Sequence, residues 1–356
     1  MKVLLISNMY PASDDPSYGV FVKNFESEMI VKGIKFTKAV IKGKGKGLFD
    51  KIKKYMLFIY DVYASMCKGD VDLIYVHYIS HSLVPLLPIM PFMKKPLVIN
   101  VHGSDLLSKK LFSRLILTLN YFSIKKSSMV VVPSNYFKDI IYRKYNHSNI
   151  VVSPSGGIDL SVFHQFKQNR SDFKGLYLGY VSRIEEQKGW MVFLRSLVIL
   201  KELAPNLIFK ADMVGGGSQE ILLRSTVSEL GLESNVNYLG AKSQNELAEL
   251  FNKFDVFVFP TMFNESLGLV GIESMACGTV VIGSRIGGLT TYIEHGVNGY
   301  LFEPGNAQEL ASTYLKYNAL NAQNKIIMES KALETAQIYK KEIVGEELAE
   351  KLYALV

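Results

Sequence analysis

Two acidic residues flank the start of a predicted helix and are the first candidates for chemistry. Asp255–Phe259 is a short apolar run typical of a buried parallel strand, and Leu267–Ala276 has the composition of a helix. Glu265 precedes that helix and Glu273 lies inside it. A helix that begins near Ser266 directs free backbone N–H groups at the strand end, which favours binding of a phosphate. The two carboxylates could then flank a diphosphate. The alternative is that Glu265 caps the helix and Glu273 is solvated.

Two basic residues follow the predicted strand Leu176–Val181. Arg183 and Lys188 leave the strand end together and could converge on one diphosphate. Arg offers a planar fork and Lys a point charge, so the pair can stabilise a departing nucleotide without a metal. Taken alone, two cations in a loop are more often surface charge, and that interpretation stays open at this stage.

Three consecutive glycines follow the next predicted strand, Ile208–Val214. Gly215, Gly216 and Gly217 do not form a Gly-x-Gly-x-x-Gly dinucleotide fingerprint, and they do not follow the first strand of the chain. They are more consistent with a backbone that closely approaches a nucleotide, because a glycine leaves room for such an approach.

Polar and glycine residues also end two predicted strands of the first half. Leu97–Val101 is a buried strand that runs into His-Gly-Ser-Asp at 102–105, where doubly wound folds bind ligands. A lone His is often a satisfied structural residue, so His102 is a candidate because of its position, and Asp105 is a second one. Gly19 ends the polar loop after the first strand and lets the backbone approach a ligand.

One set of motifs combines the candidates of the second half with two further glycine-containing segments. The set comprises Glu265-x7-Glu273 with Ser266-Leu267-Gly268 after the first acid, Arg183-x4-Lys188-Gly189, and Gly287-Gly288-Leu289 downstream. Together these motifs resemble the donor site of family 4 retaining glycosyltransferases, which are nucleotide-sugar enzymes of the GT-B fold. The resemblance is strong over residues 176–305 and diffuse in the first half, which carries acceptor specificity in that family.

The resemblance implies a role for each residue. Glu273 would bind the ribose hydroxyls, and Glu265 would contact the hydroxyls of the donor sugar. Arg183 and Lys188 would neutralise the leaving diphosphate, and His102 would lie against the donor sugar. We therefore expect His102, Glu265, Arg183 and Lys188 to be catalytic. The residues expected to bind the nucleotide sugar are Gly19, Arg183, Lys188, Gly215, Gly216, Tyr238, Glu265, Ser266, Leu267, Gly268 and Glu273.

Several patterns argue against other kinds of site. The Asp-Val-Asp segment 70–72 leads directly into the strand Leu73–Val76, which indicates a turn at the start of a strand rather than a metal site. The basic segment Lys42–Gly47 lacks the Gly-x4-Gly-Lys-Ser/Thr pattern of a P-loop. Cys67 and Cys277 have no metal-ligand spacing and are expected to be reduced. We expect no metal and no cofactor, with the nucleotide sugar as co-substrate.

Charge is unevenly distributed along the 356 residues. Residues 1–165 carry 22 Lys and Arg against 11 Asp and Glu, whereas residues 166–356 carry 18 against 22. A basic half indicates an anionic partner, which could be nucleic acid, anionic lipid or a phosphorylated substrate. Because the sequence has no nucleic-acid motif, we expect an anionic membrane surface and a glycan or lipid-linked acceptor, and no nucleic acid.

Two predicted helices of the basic half carry apolar stripes. In the first helix the lysines lie off the stripe, which favours a helix packed on the core with a solvated charged face. Its stripe comprises Phe49, Ile52, Met56, Ile59, Tyr63 and Met66. A second helical stretch, 106–126, has lysines and an arginine around its stripe, which comprises Leu111, Leu115, Leu119 and Phe122.

These observations predict an α/β protein of GT-B type, with two Rossmann-like domains whose parallel sheets face each other across a cleft. We assign residues 1–165 to an acceptor- and membrane-facing domain, 166–335 to a nucleotide-sugar domain, and 336–356 to a helix that packs back on the first domain. No apolar run reaches the roughly 18 residues of a spanning helix, and the N-terminal apolar stretch is too short for a secretory signal. We therefore expect a cytoplasmic protein, peripheral on the cytoplasmic face of the membrane.

The expected function is that of a retaining glycosyltransferase acting from a nucleotide-diphosphate sugar. UDP is the commonest nucleotide in the resembling family and GDP the next. The acceptor would be a hydroxyl of a lipid-linked or cell-surface polysaccharide or lipid precursor. The alternative is a non-catalytic scaffold that binds a nucleotide sugar or glycan at the membrane. A dinucleotide-dependent oxidoreductase ranks third, because the dinucleotide fingerprint is absent.

Overall fold

The structure is a computed structural model of the chain and describes residues 1–103, 105–108, 110–166 and 172–356. Ser104, which is part of the strand-end motif in the first half, lies outside the described residues. The chain forms two compact units, one of residues 1–157 with 342–356 and one of residues 158–341. The described part of each unit contains a six-stranded parallel sheet.

The first unit alternates strands and helices. Its strands are β1 at Lys2–Tyr10, β2 at Lys35–Lys42, β3 at Leu73–His77, β4 at Leu97–Asn100, β5 at Met129–Val132 and β6 at Ile150–Val152. Its helices before the second unit are α1 at Val20–Val31, α2 at Leu48–Cys67, α3 at Leu111–Leu119, α4 at Tyr121–Lys126 and α5 at Asn135–Tyr145, with short 3-10 helices at Val84–Leu86 and Met90–Phe92. The sheet order is β2-β1-β3-β4-β5-β6. Strands such as β3 and β5 are buried along their whole length, which explains their runs of Val, Ile and Leu.

The second unit repeats this organisation. Its strands are β7 at Leu176–Val181, β8 at Phe209–Val214, β9 at Val236–Gly240, β10 at Val256–Phe259, β11 at Val280–Ser284 and β12 at Gly299–Phe302. Its helices are α6 at Trp190–Leu203, α7 at Glu220–Glu229, α8 at Gln244–Phe251, α9 at Leu269–Ala276, α10 at Ala307–Asn318 and α11 at Ala322–Gln337, with short 3-10 helices at Glu186–Lys188 and Gly287–Thr291. The sheet order is β12-β11-β10-β7-β8-β9.

The last helix, α12 at Lys341–Tyr353, packs on the first unit. Leu348 and Leu352 are buried in one cluster with Val3 and Leu5 of β1. The hydroxyl of Tyr353 donates a hydrogen bond to the Lys32 carbonyl at 3.1 Å, just after α1. The predicted α/β class, with two parallel sheets and a C-terminal helix on the first domain, is confirmed.

The second unit begins at residue 158 and ends at residue 341, a few residues away from the predicted boundaries at 165 and 335. The Ile158 N–H donates to the Tyr339 carbonyl at 2.8 Å, and the Lys341 N–H donates to the Ile158 carbonyl at 2.9 Å. Phe163 is buried in a core cluster of the second unit. Residues 158–165 therefore belong to the second unit, held there by backbone pairing and by apolar packing.

Most of the apolar stripe predicted for α2 does not pack on the core, and only Met66 at its C-terminal end does so. This helix buries Phe58 and Val62, one turn apart, whereas Phe49 is 88% exposed and Met56 is 66% exposed. Both faces of α2 are apolar, and Phe49, Ile52, Met56 and Ile59 of the predicted stripe lie on the outer one. The interpretation of α2 as a helix with a core-packed stripe and a merely solvated opposite face was therefore wrong for residues 49–59.

Candidate functional site

The order of the second sheet defines where a ligand can bind. From β7 the chain moves to β8 and β9 on one side, and then crosses back to β10, β11 and β12 on the other side. The order in which the chain adds strands to the sheet therefore reverses between the neighbouring strands β7 and β10, which are parallel. In open α/β sheets, ligands bind outside the carboxyl ends of the strands at such a reversal. The loops that follow β7, β8, β10 and β11 contain every site residue predicted in this unit except Tyr238, which lies in β9, and Glu273, which lies in α9.

An ion pair crosses this reversal point. The Lys188 ammonium, after β7, lies 2.6 Å from Oε1 of Glu265, after β10, and the two side chains are only 12% and 13% exposed. The Thr261 hydroxyl donates to the same carboxylate oxygen at 3.0 Å. Lys188 is thus not a surface charge, and Glu265 holds its ammonium group at the strand ends. Two charges that are largely removed from water in this way are stable only when each has the other as a hydrogen-bonded partner of opposite charge.

The loop that carries Lys188 is fixed at both ends. The buried Tyr180 hydroxyl lies 3.3 Å from the carbonyls of both Arg183 and Lys188. Gly189 has a φ of 73°, and a Cβ at this position would lie 1.7 Å from the carbonyl oxygen of Pro260. The loop after β7 therefore packs directly on the end of β10. Arg183 belongs to the same loop, and its side chain is exposed.

The glycine loop after β8 packs equally closely. A Cβ on Gly215 would lie 1.8 Å from the Ser182 carbonyl oxygen, so this backbone contact requires glycine. The Tyr238 hydroxyl donates to the Gly215 carbonyl at 2.7 Å. The guanidinium carbon of Arg224 lies 4.6 Å from the centre of the Tyr238 ring, which is a cation–π contact. Tyr238, Gly215 and the neighbouring Gly216 are thus brought together, with Arg224 stacked on the tyrosine.

The helix after Glu265 begins later than the sequence predicts. We expected its start near Ser266, but α9 begins at Leu269 after Gly268, whose φ of 86° suits glycine. Residues 266–268 form a turn instead. The buried Tyr292 holds that turn, because its hydroxyl donates to the Gly268 carbonyl at 3.2 Å. Glu265 lies four residues before the helix and makes no capping hydrogen bond to it.

Glu273 lies in the fifth position of α9 and is not freely solvated. Desolvation raises the pKa of its carboxyl to about 7 from an ordinary value of 4.5. Its carboxyl group therefore changes charge near neutral pH, unlike an exposed glutamate. A group with this pKa can accept hydrogen bonds from a ligand as a carboxylate, and binding of such a ligand depends on pH.

Of the predicted residues of the first unit, His102 lies at the ends of β3 and β4, whereas Gly19 lies against the backbone of Met9 and Tyr10 in β1. His102 Nε2 lies 2.9 Å from His77 Nδ1, and the two rings are stacked with centroids 5.1 Å apart. Phe21, two residues after Gly19, packs on the His102 ring at 4.4 Å. Burial lowers the pKa of His102 to about 3 and that of His77 well below its ordinary value. Both imidazoles are therefore neutral, and one must donate to the other.

The tautomer of this pair follows from burial. Among the described residues, His77 Nε2 is buried and has no hydrogen-bond partner. An unpaired ring nitrogen without a hydrogen is less unfavourable there than an unpaired N–H. His77 therefore carries its proton on Nδ1 and donates to His102 Nε2. The proton of His102 is then on Nδ1, which makes that atom a hydrogen-bond donor.

Asp105 has a structural role in the same turn. Its carboxylate accepts hydrogen bonds from the backbone N–H groups of His102 and Ile79, each at 3.0 Å. Burial raises its pKa to about 6 despite these bonds. Asp105 thus ties the turn after β4 to the loop after β3 and fixes the backbone of His102.

Four site residues were missed by the sequence analysis. Tyr292 lacks any local signal, because it acts through a contact with a segment 24 residues earlier. Thr261 lies only four residues before Glu265, but a threonine in a loop carries no signal of such a contact. Arg224 lies in a helix with ordinary composition. His77 could have been found, since it ends a buried strand beside the one that precedes His102. A polar residue at the carboxyl end of a parallel strand is the signal that identified His102 itself.

The structure also tests whether Asp70 and Asp72 could hold a metal and whether a helix could span a membrane. Asp70 pairs with the Lys2 side chain, and the Asp72 carboxylate accepts from the Lys2 N–H at 2.8 Å, so both acids anchor the first strand. Within the described ranges, no three His, Cys, Asp or Glu side chains are grouped as metal ligands would be. In the same ranges, no helix combines the length and the apolar composition needed to span a bilayer.

Two family models match this chain. The family described as "Glycosyl transferases group 1" matches residues 162–329, and the one described as "Glycosyltransferase Family 4" matches residues 33–162. The two matches adjoin at residue 162, close to the change of unit at residue 158. Each unit therefore corresponds to one of the two family descriptions.

Curated relatives carry the name D-inositol 3-phosphate glycosyltransferase. The protein of Pseudarthrobacter chlorophenolicus is 32% identical over 177 residues, which are 48% of this chain and 42% of that protein. The protein of Stackebrandtia nassauensis is 35% identical over 133 residues, 35% of this chain and 30% of that protein. The matched region thus spans less than half the length of these relatives.

Solved structures share the whole fold. HepE of Anabaena in complex with UDP has a TM-score of 0.80 at 21% identity and covers 99% of this chain and 100% of its own. Sucrose-phosphate synthase of Thermosynechococcus elongatus has a TM-score of 0.77 at 19% identity, with full coverage of both chains. At these identities the likeness establishes the fold alone, and the predicted GT-B type is confirmed.

Proposed function

Since this chain belongs to the family 4 glycosyltransferases, we propose that it transfers a sugar from a UDP-sugar to an acceptor hydroxyl with retention of the anomeric configuration. The observation that carries this proposal is the partly buried Lys188–Glu265 pair at the reversal point of the second sheet. The similar HepE structure is a complex with UDP, which supports UDP as the nucleotide here.

The second unit supplies the groups that hold the donor. The β-phosphate would lie against the Lys188 ammonium and the free N–H groups at the start of α9, with Arg183 adding a planar fork from the same loop. Glu273 would accept hydrogen bonds from the ribose hydroxyls. The base would lie by Gly215, Gly216 and Tyr238. Ser266, Leu267 and Gly268 form the turn that sets the distance between Glu265 and α9.

Glu265 has two tasks in this proposal. One carboxylate oxygen orients Lys188 towards the diphosphate, and the carboxylate also accepts hydrogen bonds from hydroxyls of the donor sugar. Because Lys188 and Thr261 already engage Oε1, we do not assign a covalent intermediate to this residue. The neutral His102 would donate from Nδ1 to another hydroxyl of the sugar. Gly19 would bring the backbone before α1 close to the donor.

The chemical step then takes place on one face of the sugar. The bond between the anomeric carbon and the phosphate oxygen breaks, and the acceptor oxygen forms its bond on the same face. The acceptor proton passes to an oxygen of the departing phosphate, and UDP leaves with the electron pair. Lys188, Arg183 and the α9 N-terminus stabilise the charge that develops on the diphosphate. These groups supply the neutralisation, so the proposal requires no metal.

The acceptor is proposed to be a phosphate-bearing, lipid-linked molecule reached at an anionic membrane surface on the cytoplasmic face. The net charge of residues 1–165 supports this, and the names of the curated relatives contain a phosphorylated inositol. Polysaccharide or glycolipid assembly is the process that consumes such products.

The Lys188→Ala variant tests the proposed function. We expect turnover of UDP-sugar to fall by about 10²–10³-fold, because one preorganised charge at the leaving group is removed. Lys253→Ala, which removes an exposed lysine of the same unit, should leave turnover unchanged. The measurement is UDP release from a panel of UDP-sugars, with and without acceptor. Near-normal turnover of Lys188→Ala would refute the proposal. Binding of a UDP-sugar by the wild type without any release of UDP would identify a non-catalytic scaffold.

A further inference from the structure

The first unit exposes an unusual number of large apolar side chains on one set of helices. The exposed residues of α2, of the 3-10 helix at 90–92 and of α3 and α4 are here called the α2–α4 face. Its large apolar side chains are those of Leu48, Phe49, Ile52, Met56, Leu57, Ile59, Tyr60, Phe92, Leu111, Phe112, Leu115, Leu119, Tyr121 and Phe122. Phe49, Phe92 and Leu111 are each more than 80% exposed. Patches of this kind in a soluble protein mark an interaction site.

The helices of the α2–α4 face are neighbours rather than separate patches. His81 lies between them, with its ring 6.4 Å from Tyr55 of α2 and 6.1 Å from Phe112 of α3. The opposite sides of the same helices are buried, as Phe58 in α2 and Ile116 in α3 show. The core is therefore packed by other residues of these helices, and the exposed apolar side chains do not take part in it.

Positive charge surrounds the α2–α4 face. The segment 42–54 contains six lysines and one aspartate. The segment 110–126 contains three lysines and one arginine, and it has no acidic residue. Interfaces between proteins are depleted in lysine, whereas lysines beside exposed aromatic and aliphatic groups are typical of surfaces that lie on anionic lipid. The composition therefore favours a membrane over a protein partner.

A basic cavity opens beside this face, at the start of α2. It has a volume of about 350 Å³ and is lined by Asn8, Tyr18, Lys44, Lys51, Lys54 and Tyr55, among others. Lys54 is held in place, because its ammonium donates to the carbonyls of Lys42, Gly43 and Lys44 at 2.9–3.2 Å. Among the described residues, no carboxylate lies within ion-pair distance of the Lys44 or Lys51 ammonium.

The polar lining of this cavity suits a phosphate group. Lys44 and Lys51 supply charge. The Tyr55 hydroxyl accepts from the Asn8 amide at 3.5 Å and keeps its own O–H to donate, whereas the Tyr18 hydroxyl already donates to the Asn8 carbonyl at 3.2 Å. Ile52 and Met56 neighbour Lys51 and Tyr55 along α2 and are exposed. An amphiphile with a phosphate in the cavity would thus have its acyl chains beside the apolar side chains of the α2–α4 face.

We propose that the α2–α4 face docks on an anionic lipid bilayer and that the cavity between residues 43–45 and α2 takes the phosphate of one lipid headgroup. This inference rests on the proposed function, since it identifies where a lipid-linked acceptor is presented to the enzyme. Docking places Phe49, Met56 and Leu111 at the level of the acyl chains and the surrounding lysines at the level of the phosphates.

Vesicle co-sedimentation tests the proposal, with the whole chain and with phosphatidylcholine vesicles with or without phosphatidylglycerol. The wild type should bind only vesicles that contain phosphatidylglycerol, and binding should weaken as salt rises. Phe49→Ser with Met56→Ser should weaken partitioning more than about tenfold, because apolar area no longer enters the bilayer. Ile326→Ser, an exposed apolar residue of α11, is the matched control and should bind as the wild type does.

A second pair of variants tests the cavity. Lys44→Gln with Lys51→Gln should weaken vesicle binding by about fivefold for each lysine replaced. This loss should exceed the loss caused by replacing two exposed lysines of the second unit. Lys253→Gln with Lys316→Gln removes the same charge from the second unit and should have little effect. Calorimetric titration with inorganic phosphate, without vesicles, separates a free phosphate from a lipid headgroup as the occupant. Saturable phosphate binding that Lys44→Gln with Lys51→Gln abolishes, together with wild-type vesicle binding by the same pair, would assign the cavity to a free phosphate and overturn the lipid assignment.

The remaining outcomes are also decisive. Equal binding to neutral vesicles, or wild-type binding by both variant pairs, would overturn the proposal. A dimer in solution that Phe49→Ser with Met56→Ser dissociates would show that a second copy covers the face. UDP binding is measured in the same samples as a rise in melting temperature, and it reports on the donor site independently of vesicle binding. Loss of UDP binding with normal vesicle binding would therefore refute the proposed function and leave the docking surface standing.

Discussion

The two units share a sheet topology but treat their outer helices differently. In the second unit, α6 buries most of its apolar residues, including Trp190, Phe193 and Leu197. In the first unit, the longer α2 buries Phe58 and Val62 and leaves most of its other large apolar side chains exposed. The exposed apolar side chains of α2 therefore do not contribute to the core, and they are available for an interaction at the surface.

The sites of the two units also differ in how they are built. In the second unit, backbone segments approach each other at Gly189 and Gly215, and an ion pair closes the arrangement. In the first unit, stacked rings surround a pair of neutral imidazoles at His77 and His102. Close backbone contact gives the second site a fixed shape, whereas ring packing with one hydrogen bond gives the first site a fixed proton position.

Gly189→Ala should break the backbone contact that shapes the second site. A Cβ would lie 1.7 Å from the Pro260 carbonyl oxygen, so the loop must move away from β10. We expect a loss of about 3 kcal/mol or more in the free energy of unfolding, together with loss of UDP binding. Gly305→Ala is the control, because its φ of 83° adds strain but its Cβ meets nothing within 4 Å. It should lose about 1–2 kcal/mol and keep UDP binding. Urea unfolding with and without UDP measures both, and equal losses would show that strain alone matters.

The sequence predicted most of the fold because buried parallel strands leave a strong local signal. Leu73–Val76 is apolar without interruption, and the strand begins at the predicted residue. The start of α9 was wrong by three residues, because Tyr292 and Gly268 together set it. That contact joins segments 24 residues apart, and no local pattern reports it.

The outer stripe of α2 shows a second limit of sequence analysis. A helix with one apolar face is predicted to turn that face inwards, and α2 has two. Which of them packs on the sheet depends on the side chains of the strands, such as those around Ile74 and Val76 in the same cluster as Phe58. Likewise, the pairing of His102 with His77 depends on the register between β3 and β4. His77 can be identified in the sequence as a residue at a strand end, but its contact with His102 becomes visible only when the sheet is assembled.

His77→Leu should sharpen the difference between the two sites, because it removes a proton donor while filling a similar space. Without the His77 Nδ1–H bond, His102 no longer has a fixed tautomer, and we expect kcat to fall by about 10²-fold with a smaller change in KM. His77→Gln retains a donor that can reach His102 Nε2 and should restore part of the rate. UDP binding, assigned to the second unit, should be unchanged in both variants. If Gln and Leu are equally impaired, His77 acts only through packing.

Glu273 gives the smallest and most specific effect, a pH dependence of UDP affinity that belongs to the second site alone. Its pKa of about 7 means that the carboxyl is largely protonated at pH 6 and largely ionised at pH 8. If the ribose hydroxyls donate to the carboxylate, binding must first remove that proton, so affinity falls as pH falls. For a group of this pKa the affinity should rise about tenfold between pH 6 and pH 8.

The control for this prediction is Glu273→Gln, which cannot ionise at that position. The terminal phosphate of UDP also titrates near pH 6, but it does so equally with both proteins, so the ratio of their affinities isolates Glu273. Calorimetric titration with UDP across this range measures the ratio. A ratio that is constant with pH would mean that Glu273 does not contact the ribose as a carboxylate. The second site would then hold its ligand through the backbone, Lys188 and Arg183, and its preference for a nucleotide would depend on the Tyr238 side of the site.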